Sequence, residues 1–284
     1  MRLATVRADD GTEIPVAVTA DHGTVPVSDL LDDPPTNTME LLEPATWQLL
    51  EQRLGRRSGS GGAREDGAEF TAPYRHPRKV WGIGLNYVDH ASDLSEIVPE
   101  EPASFMKGDH TIIGPGDPIP LPPQSDRVTA EAELGLVIGS YCRNVGEDAA
   151  LDHVAGLTPV LDQTAEDILA RNPRFLTRSK NFPGFLSFGP HIVPVSQVAG
   201  ADGRLGDVEV ATVIDGQVQR SNTVARMRYS PEFLVSFHSR VMPLYPGDII
   251  LTGTPGAVPL RAGMLAECRI SGLPTLRNPV VNSA

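Results

Sequence analysis

A β-rich α+β chain is what this sequence predicts, on three grounds. Gly 27 and Pro 26 interrupt the 284 residues at short intervals, apolar segments of strand length recur between those interruptions, and helical periodicity is confined to a few stretches. The 40% apolar content is that of an ordinary globular protein with enough chain to bury a sizeable core.

Residues 1–30 open with RLATVRA and IPVAVTA, separated by the turn signal DDGTE and followed by a second turn at DHGTV, which reads as a small β-meander. TMELLEPATWQLLEQRLG has helical spacing, with Thr46 as a candidate N-cap after Pro44 and an end near Gly55. GRRSGSGGAREDGA, residues 55–68, has linker composition. The expected division is therefore a small N-terminal domain over 1–68 and a larger one over 69–284.

Beyond the linker, KVWGIGLNY, SFMKG, HTIIG, ELGLVIG, GLTPVL, HIVPV, VEVATVI and DIILTG read as short strands. TAEDILARN, after Asp162, and SPEFLVSFHSRV read as helices, the second with Ser230 as N-cap and a proline at the first helical position. No period of 20 to 50 residues recurs. GIGLNY lacks the GxGxxG spacing, and no regular strand-helix alternation follows it, which disfavours a Rossmann fold.

The net charge of -12 argues against nucleic acid, whose phosphates demand clustered Lys and Arg. It would also repel a small anionic substrate unless a local cation reversed the field. Cys142 and Cys268 lie too far apart to suggest a disulfide framework or a zinc motif, and are expected to be reduced core residues. No signal-peptide core and no run of about 18 apolar residues occurs, so the expectation is a cytoplasmic protein without membrane contact.

The stretch VTAEAELGLVIG, residues 128–139, carries the first chemical signal. On a strand, Glu131 and Glu133 share one face while Ala130, Ala132, Leu134, Leu136 and Ile138 occupy the other, and Gly135 leaves room beside the glutamates. Two such carboxylates, about 6.5 Å apart, repel by about 0.6 kcal/mol in water but about 2.5 kcal/mol at an effective dielectric near 20. Either the face is solvated, or it is buried and wants a cation.

Asp162 closes an apolar run before a helical segment, where an acid is either a helix cap or a third oxygen ligand. With the two glutamates it would make an all-oxygen site suited to Mg²⁺, Mn²⁺ or Ca²⁺. His90 has Asp93 three residues on, a spacing that on a helix lets a carboxylate orient a general base; a surface histidine is the plain alternative. Lys107 and Lys180 are either surface lysines or cations for an anionic substrate. TGTPG, residues 252–256, is a tight turn whose Gly253 backbone and Thr254 hydroxyl could clamp a carboxylate.

In this order the segments GLNYVDHASDL, PASFMKGDHTIIGPGDPIPLP, EAELGLVIG, VAGLTPVLDQTAED, RSKNFPGFLSFGP, IDGQVQRSNTVARM, LYPGDIILTGTPGAVP and AGMLAECRISGLPTLRNPVV make residues 75–284 resemble the fumarylacetoacetate hydrolase family. The resemblance implies a mixed β-roll catalytic domain beside a small N-terminal domain, a homodimer, and Mg²⁺ or a related ion on Glu131, Glu133 and Asp162. It also implies His90, oriented by Asp93, as water-activating base, Lys180 as cationic substrate contact and Thr254 as carboxylate-binding residue. The implied reaction is hydrolysis of a carbon-carbon bond in a small acidic β-dicarbonyl, acylpyruvate-like, through a metal-stabilised enolate. A decarboxylase, lyase or isomerase of 2-oxo acids on the same ion, or a non-catalytic metabolite binder, are the alternatives. The chain departs from the family pattern at Asp93, Leu157, Leu161, Glu166 and Pro183, where Glu, Tyr, Asn, Arg and Asp are common. Those changes leave the implied ligands intact but alter their surroundings.

Overall fold

In a computed structural model of the chain, residues 1–57, 67–87 and 100–283 are described. Strands β1 (Arg2–Arg7), β2 (Glu13–Thr19) and β3 (Gly23–Pro26) form the antiparallel meander that the two turn signals imply. Helix α1 (Pro44–Gly55) follows, with Pro44 in its first turn and Glu43 as an N-cap that makes no side-chain bond. Thr46 is thus inside the helix rather than capping it, because a proline suits the first helical position, where no N–H is required. Trp47, Leu50 and Leu54 are its buried face.

The rest of the chain runs β4 (Val80–Gly84), β5 (Ala103–Lys107), β6 (Ile112–Ile113), β7 (Ile119–Leu121), β8 (Val128–Ile138), β9 (Val154–Ala165), α2 (Glu166–Arg171) and α3 (Leu176–Lys180). Then come β10 (Leu186–Phe188), β11 (His191–Ile192), β12 (Glu209–Ile214), β13 (Gln217–Thr223), α4 (Pro231–Val241), β14 (Ile249–Leu251), β15 (Val258–Pro259), β16 (Leu265–Ile270) and β17 (Leu276–Asn282). Helix α4 has the cap read from sequence: the Ser230 hydroxyl accepts the Phe233 N–H at 3.2 Å.

One mixed sheet has the order β5-β4-β14-β8-β9-β10-β6, with β15 also on β8; a second has the order β13-β12-β16-β17-β7. Their packed faces share a core in which Ala130, Ala132, Leu134 and Leu136 of β8 meet Leu157 and Leu161 of β9, Val210 of β12 and Cys268 of β16. The sheets curl around that core as a β-roll. Each fully buried leucine there contributes about 1.5–3 kcal/mol. Cys142 and Cys268 are both buried and unbridged.

The meander joins a third sheet, β11-β1-β2-β3, through the pairs Leu3↔Ile192 and Ala4↔His191. Its Leu3 and Val25, with Leu50 of α1, share a core with Val137, Val160, Leu186 and Leu251. The opposite side of β8 and β9 is therefore capped at one end by the N-terminal segment, and the glutamates lie at the other.

Candidate functional site

Strands β8 and β9 pair antiparallel with Glu131 directly opposite Asp162 and Glu133 opposite Val160. Opposed residues share a face, and residues two apart on one strand do as well, so this register gathers all three carboxylates. Their ligand oxygens lie within 4.8 Å of one another. Glu133 is 1% and Asp162 0% exposed, and the Glu131 side chain 12%. The reading of a solvated glutamate face is thereby set aside. Asp162 is not a helix cap either, because β9 continues through Ala165 before α2 begins.

Two ammonium groups enter the cluster. Lys107, the last residue of β5, reaches Asp162 Oδ1 and donates to the Gln163 carbonyl at 3.1 Å. Lys180, the last residue of α3, donates to Glu131 Oε2 at 2.7 Å and to Asp162 Oδ2 at 2.5 Å. Both lysines are buried, which excludes the surface reading. Burial lowers Lys107 to about 8 despite the attraction of Asp162. For Lys180 burial opposes the charge but is outweighed by Asp162, Glu131 and Glu133, which hold the amine above the usual lysine value. Glu133 is pushed well above the ordinary carboxylate range, first by burial and then by Asp162, with Lys180 and the Gly253 N–H opposing.

Gly253 supplies that N–H, donated to Glu133 Oε2 at 2.6 Å. Its φ of +96° and the Asn86 side chain, which a Cβ would approach to 2.8 Å, restrict the position to glycine. Asn86 fixes the turn from below: its amide donates to the Thr252 carbonyl at 2.8 Å and the Tyr229 carbonyl at 3.0 Å, and its Oδ1 accepts the Tyr229 N–H at 2.9 Å. Thr254 Oγ1 accepts the Gly256 N–H at 3.2 Å, closing the turn on itself. The TGTPG segment thus meets the acids through Gly253.

Of the residues singled out by sequence, the structure brings together Glu131, Glu133, Asp162, Lys107, Lys180 and Gly253, with Thr254 in the same turn. His90 and Asp93 lie outside the described residues. The room expected beside Gly135 is not there, because the Val160 and Thr158 methyls fill it, 2.8 and 2.9 Å from where a Cβ would stand. Two positioning residues escaped the sequence reading. Asn86 was visible only as part of GLNY, and Thr164, whose hydroxyl donates to Glu131 Oε1 at 2.7 Å, sits two residues after Asp162 on the same strand face.

Three oxygen donors without sulfur or imidazole are the ligand chemistry of a hard dication. With all three carboxylates ionised, two ammoniums leave one net negative charge in low dielectric. The residues present therefore fit a divalent metal.

A β-roll carrying a buried oxygen-donor cluster and a clamped glycine turn is the class of protein these features define. Residues 79–281 match the family model described as fumarylacetoacetate (FAA) hydrolase C-terminal. An uncharacterised protein of Archaeoglobus fulgidus is 40% identical over 206 residues, 72% of this chain and 79% of that protein. The mitochondrial oxaloacetate tautomerase fahd2 of Xenopus laevis is 33% identical over 256 residues, 87% of this chain and 79% of the relative. Among solved structures, the 5-carboxymethyl-2-hydroxymuconate delta-isomerase of Mycobacterium smegmatis superposes with a TM-score of 0.77 at 31% identity, covering 100% of each chain. The chain belongs to the fumarylacetoacetate hydrolase family.

Proposed function

We propose that the chain is a divalent-metal-dependent enzyme acting on a small acidic 2-oxo acid or β-dicarbonyl, with Glu131, Glu133 and Asp162 holding the ion. The observation that carries this reading is the convergence of the three carboxylates, two of them fully buried, with their oxygens within 4.8 Å. When bound, such an ion supplies Lewis-acid polarisation of the substrate's oxygens. The protein's own residues do the rest. The Gly253 N–H holds Glu133 in one orientation, Thr164 does the same for Glu131, and Lys180 keeps a buried ammonium against Glu131 and Asp162. Lys107 and Lys180 bring positive charge to a site on a chain of net charge -12, which an anionic substrate needs.

Two reactions follow from a polarised oxo acid. Proton transfer beside the oxo group, as in a tautomerase or isomerase, is favoured by the names of the relatives, an oxaloacetate tautomerase and a delta-isomerase. Hydrolysis of a carbon-carbon bond is the second reading, favoured by the sequence pair His90 and Asp93, which would activate water. Incubation with Mg²⁺ in D₂O, followed by proton NMR, distinguishes them. Oxaloacetate keto–enol exchange accelerated by the protein supports the first, and acylpyruvate cleaved to two acids, lost by 10²-fold or more in His90→Ala, supports the second. A protein that takes up no Mg²⁺ or Mn²⁺ by calorimetry, or takes it up equally with all three acids changed to alanine, overturns the proposal.

A further inference from the structure

Strand β5 is the terminal strand of its sheet, with β4 on its inner side. Such an edge strand leaves alternate N–H and C=O groups outside the ladder. Beside Lys107 the carboxamide of Asn181 takes them. Its Oδ1 accepts the Gly108 N–H at 2.8 Å and its Nδ2 donates to the Met106 carbonyl at 2.9 Å, so one side chain holds the backbone on both flanks of Lys107. Gly108 is still extended, and residues two apart on an extended chain direct these groups to the same edge, which is how one planar amide meets both. Nδ2 also donates to the Thr177 carbonyl of α3 at 2.7 Å, and the Asn181 carbonyl accepts from His110 Nε2 at 3.0 Å.

Asn181 is also the residue that follows Lys180, so the two lysines share this clasp. From the β5 side the tie is returned. Phe105 pairs with Gly82 and lies across its bare Cα, where a Cβ would stand 2.1 Å from the Phe105 Cζ. That placement sets the Phe105 ring centroid 4.6 Å from the Lys180 ammonium, an attractive distance for a cation over an aromatic face. Phe105 and Lys107 are the buried positions at the end of β5, with the exposed Met106 between them. The ends of β5 and α3 therefore hold each other at two points. Their ammoniums meet Asp162 one on each oxygen, Lys107 on Oδ1 and Lys180 on Oδ2.

We propose that Asn181 is a positioning residue that sets Lys107 against Asp162 and thereby divides the charge of the acid cluster between a metal ion and its anionic ligand. The inference rests on the oxo-acid reading above. With both flanks of Lys107 released from Asn181, the end of β5 is free to turn its ammonium away from Asp162. A cation so close to the ligand oxygens opposes an incoming dication and attracts the anion that follows it. Loss of Asn181 therefore acts in opposite directions on the two, tightening the ion and weakening the anion. Simple loosening of the fold would weaken both.

The test is calorimetry of Mn²⁺ uptake, and then of oxalate uptake by the Mn²⁺-saturated protein, for wild type, Asn181→Ala, Lys107→Met and the double variant. Lys107→Met should tighten Mn²⁺ by 10-fold or more and weaken oxalate by a comparable factor. Asn181→Ala should move both in the same directions by threefold or more, yet by less than twofold in the Lys107→Met background, because it acts through that ammonium. Asn181→Ser, whose shorter side chain can meet only one of the two strand groups, should fall between wild type and alanine, and gives the same reading if the alanine variant does not fold. Asn172→Ala removes a hydrogen bond to the Arg174 N–H just before α3 and should leave both affinities within twofold. Mn²⁺ and oxalate both weakened, both unchanged, or an Asn181→Ala effect undiminished without Lys107, overturns the role of Asn181 and leaves the oxo-acid reading standing. A wild-type protein that takes up no Mn²⁺, or no oxalate once loaded, removes that reading and this inference together.

Discussion

Replacing Glu133 by glutamine should stabilise the metal-free protein while destroying its affinity for the ion. Glu133 lies within 4.8 Å of both other acids, and a unit-charge pair at that separation repels by about 3.5 kcal/mol at an effective dielectric near 20. Attraction to Lys180 offsets roughly one of the two repulsions, leaving about 3.5 kcal/mol. A glutamine carbonyl still accepts the Gly253 N–H, at a loss of about 1 kcal/mol relative to a charged acceptor. The net gain is about 2.5 kcal/mol, or about 4 °C in Tm for a chain of this size. Because burial raises Glu133 above its ordinary 4.5 in the folded state, the folded protein binds the extra proton. The glutamate's cost is therefore absent below pH 4.5, grows as pH rises toward the folded value and is constant above it, and the variant's advantage must follow the same course. Metal at 100 times its Kd adds about 2.7 kcal/mol to wild type and nothing to a variant that does not bind it. Thermal scans in EDTA and in Mg²⁺ or Mn²⁺, at pH 5 and pH 8, read both effects. A variant less stable than wild type in EDTA at pH 8, or one keeping the full metal-induced shift, refutes the electrostatic account.

Other perturbations have equally definite outcomes. Burial, with a contribution from Arg2, lowers His191 to about 3, and burial lowers His238 to about 4. Each imidazole stays neutral in the fold and takes its proton on unfolding, so stability is lost as pH falls from 6.5 toward those values, by about 1.4 kcal/mol per pH unit for the deeply buried His191. Urea midpoints between pH 7 and 4.5 in the Glu133→Gln background should show this slope, and His191→Gln should flatten it. Asn86→Ala strips partners from two carbonyls and one N–H, which predicts a loss of about 3 kcal/mol in urea unfolding and roughly 10-fold weaker metal binding by calorimetry. Gly253→Ala should cost about 2–3 kcal/mol from its φ of +96° alone, and its metal affinity should fall because the N–H leaves Glu133; unchanged affinity would mean that hydrogen bond is incidental.

Period-two alternation made the glutamate face of β8 legible, since Ala130, Ala132, Leu134 and Leu136 are all in the core where the pattern put them. The partner strand was harder. That Asp162 stands opposite Glu131 depends on the β8–β9 register, which no local feature of LDQTAED specifies, and the helical propensity downstream favours a cap. The lysines had to wait for the fold, because Lys107 and Lys180 come from elements 55 and 18 residues from Asp162.

The departures from the family pattern are where three-dimensional placement changes the inference most. Leu161 opposes Ala132 and is buried in the inter-sheet core, on the face of β9 opposite Asp162, so its exchange for a polar residue's place is a matter of packing and does not touch the acids. Glu166 reverses a charge near Asp162 in sequence, yet it starts α2 and pairs with Arg127 across the strand ends, its charge compensated outside the cluster. Gly135 taught the converse. A residue without a side chain beside two carboxylates promised room, but the β-branched residues Val160 and Thr158 on the neighbouring strand take that volume, and the groups that do reach the acids are Lys107, Lys180, Thr164 and the Gly253 N–H.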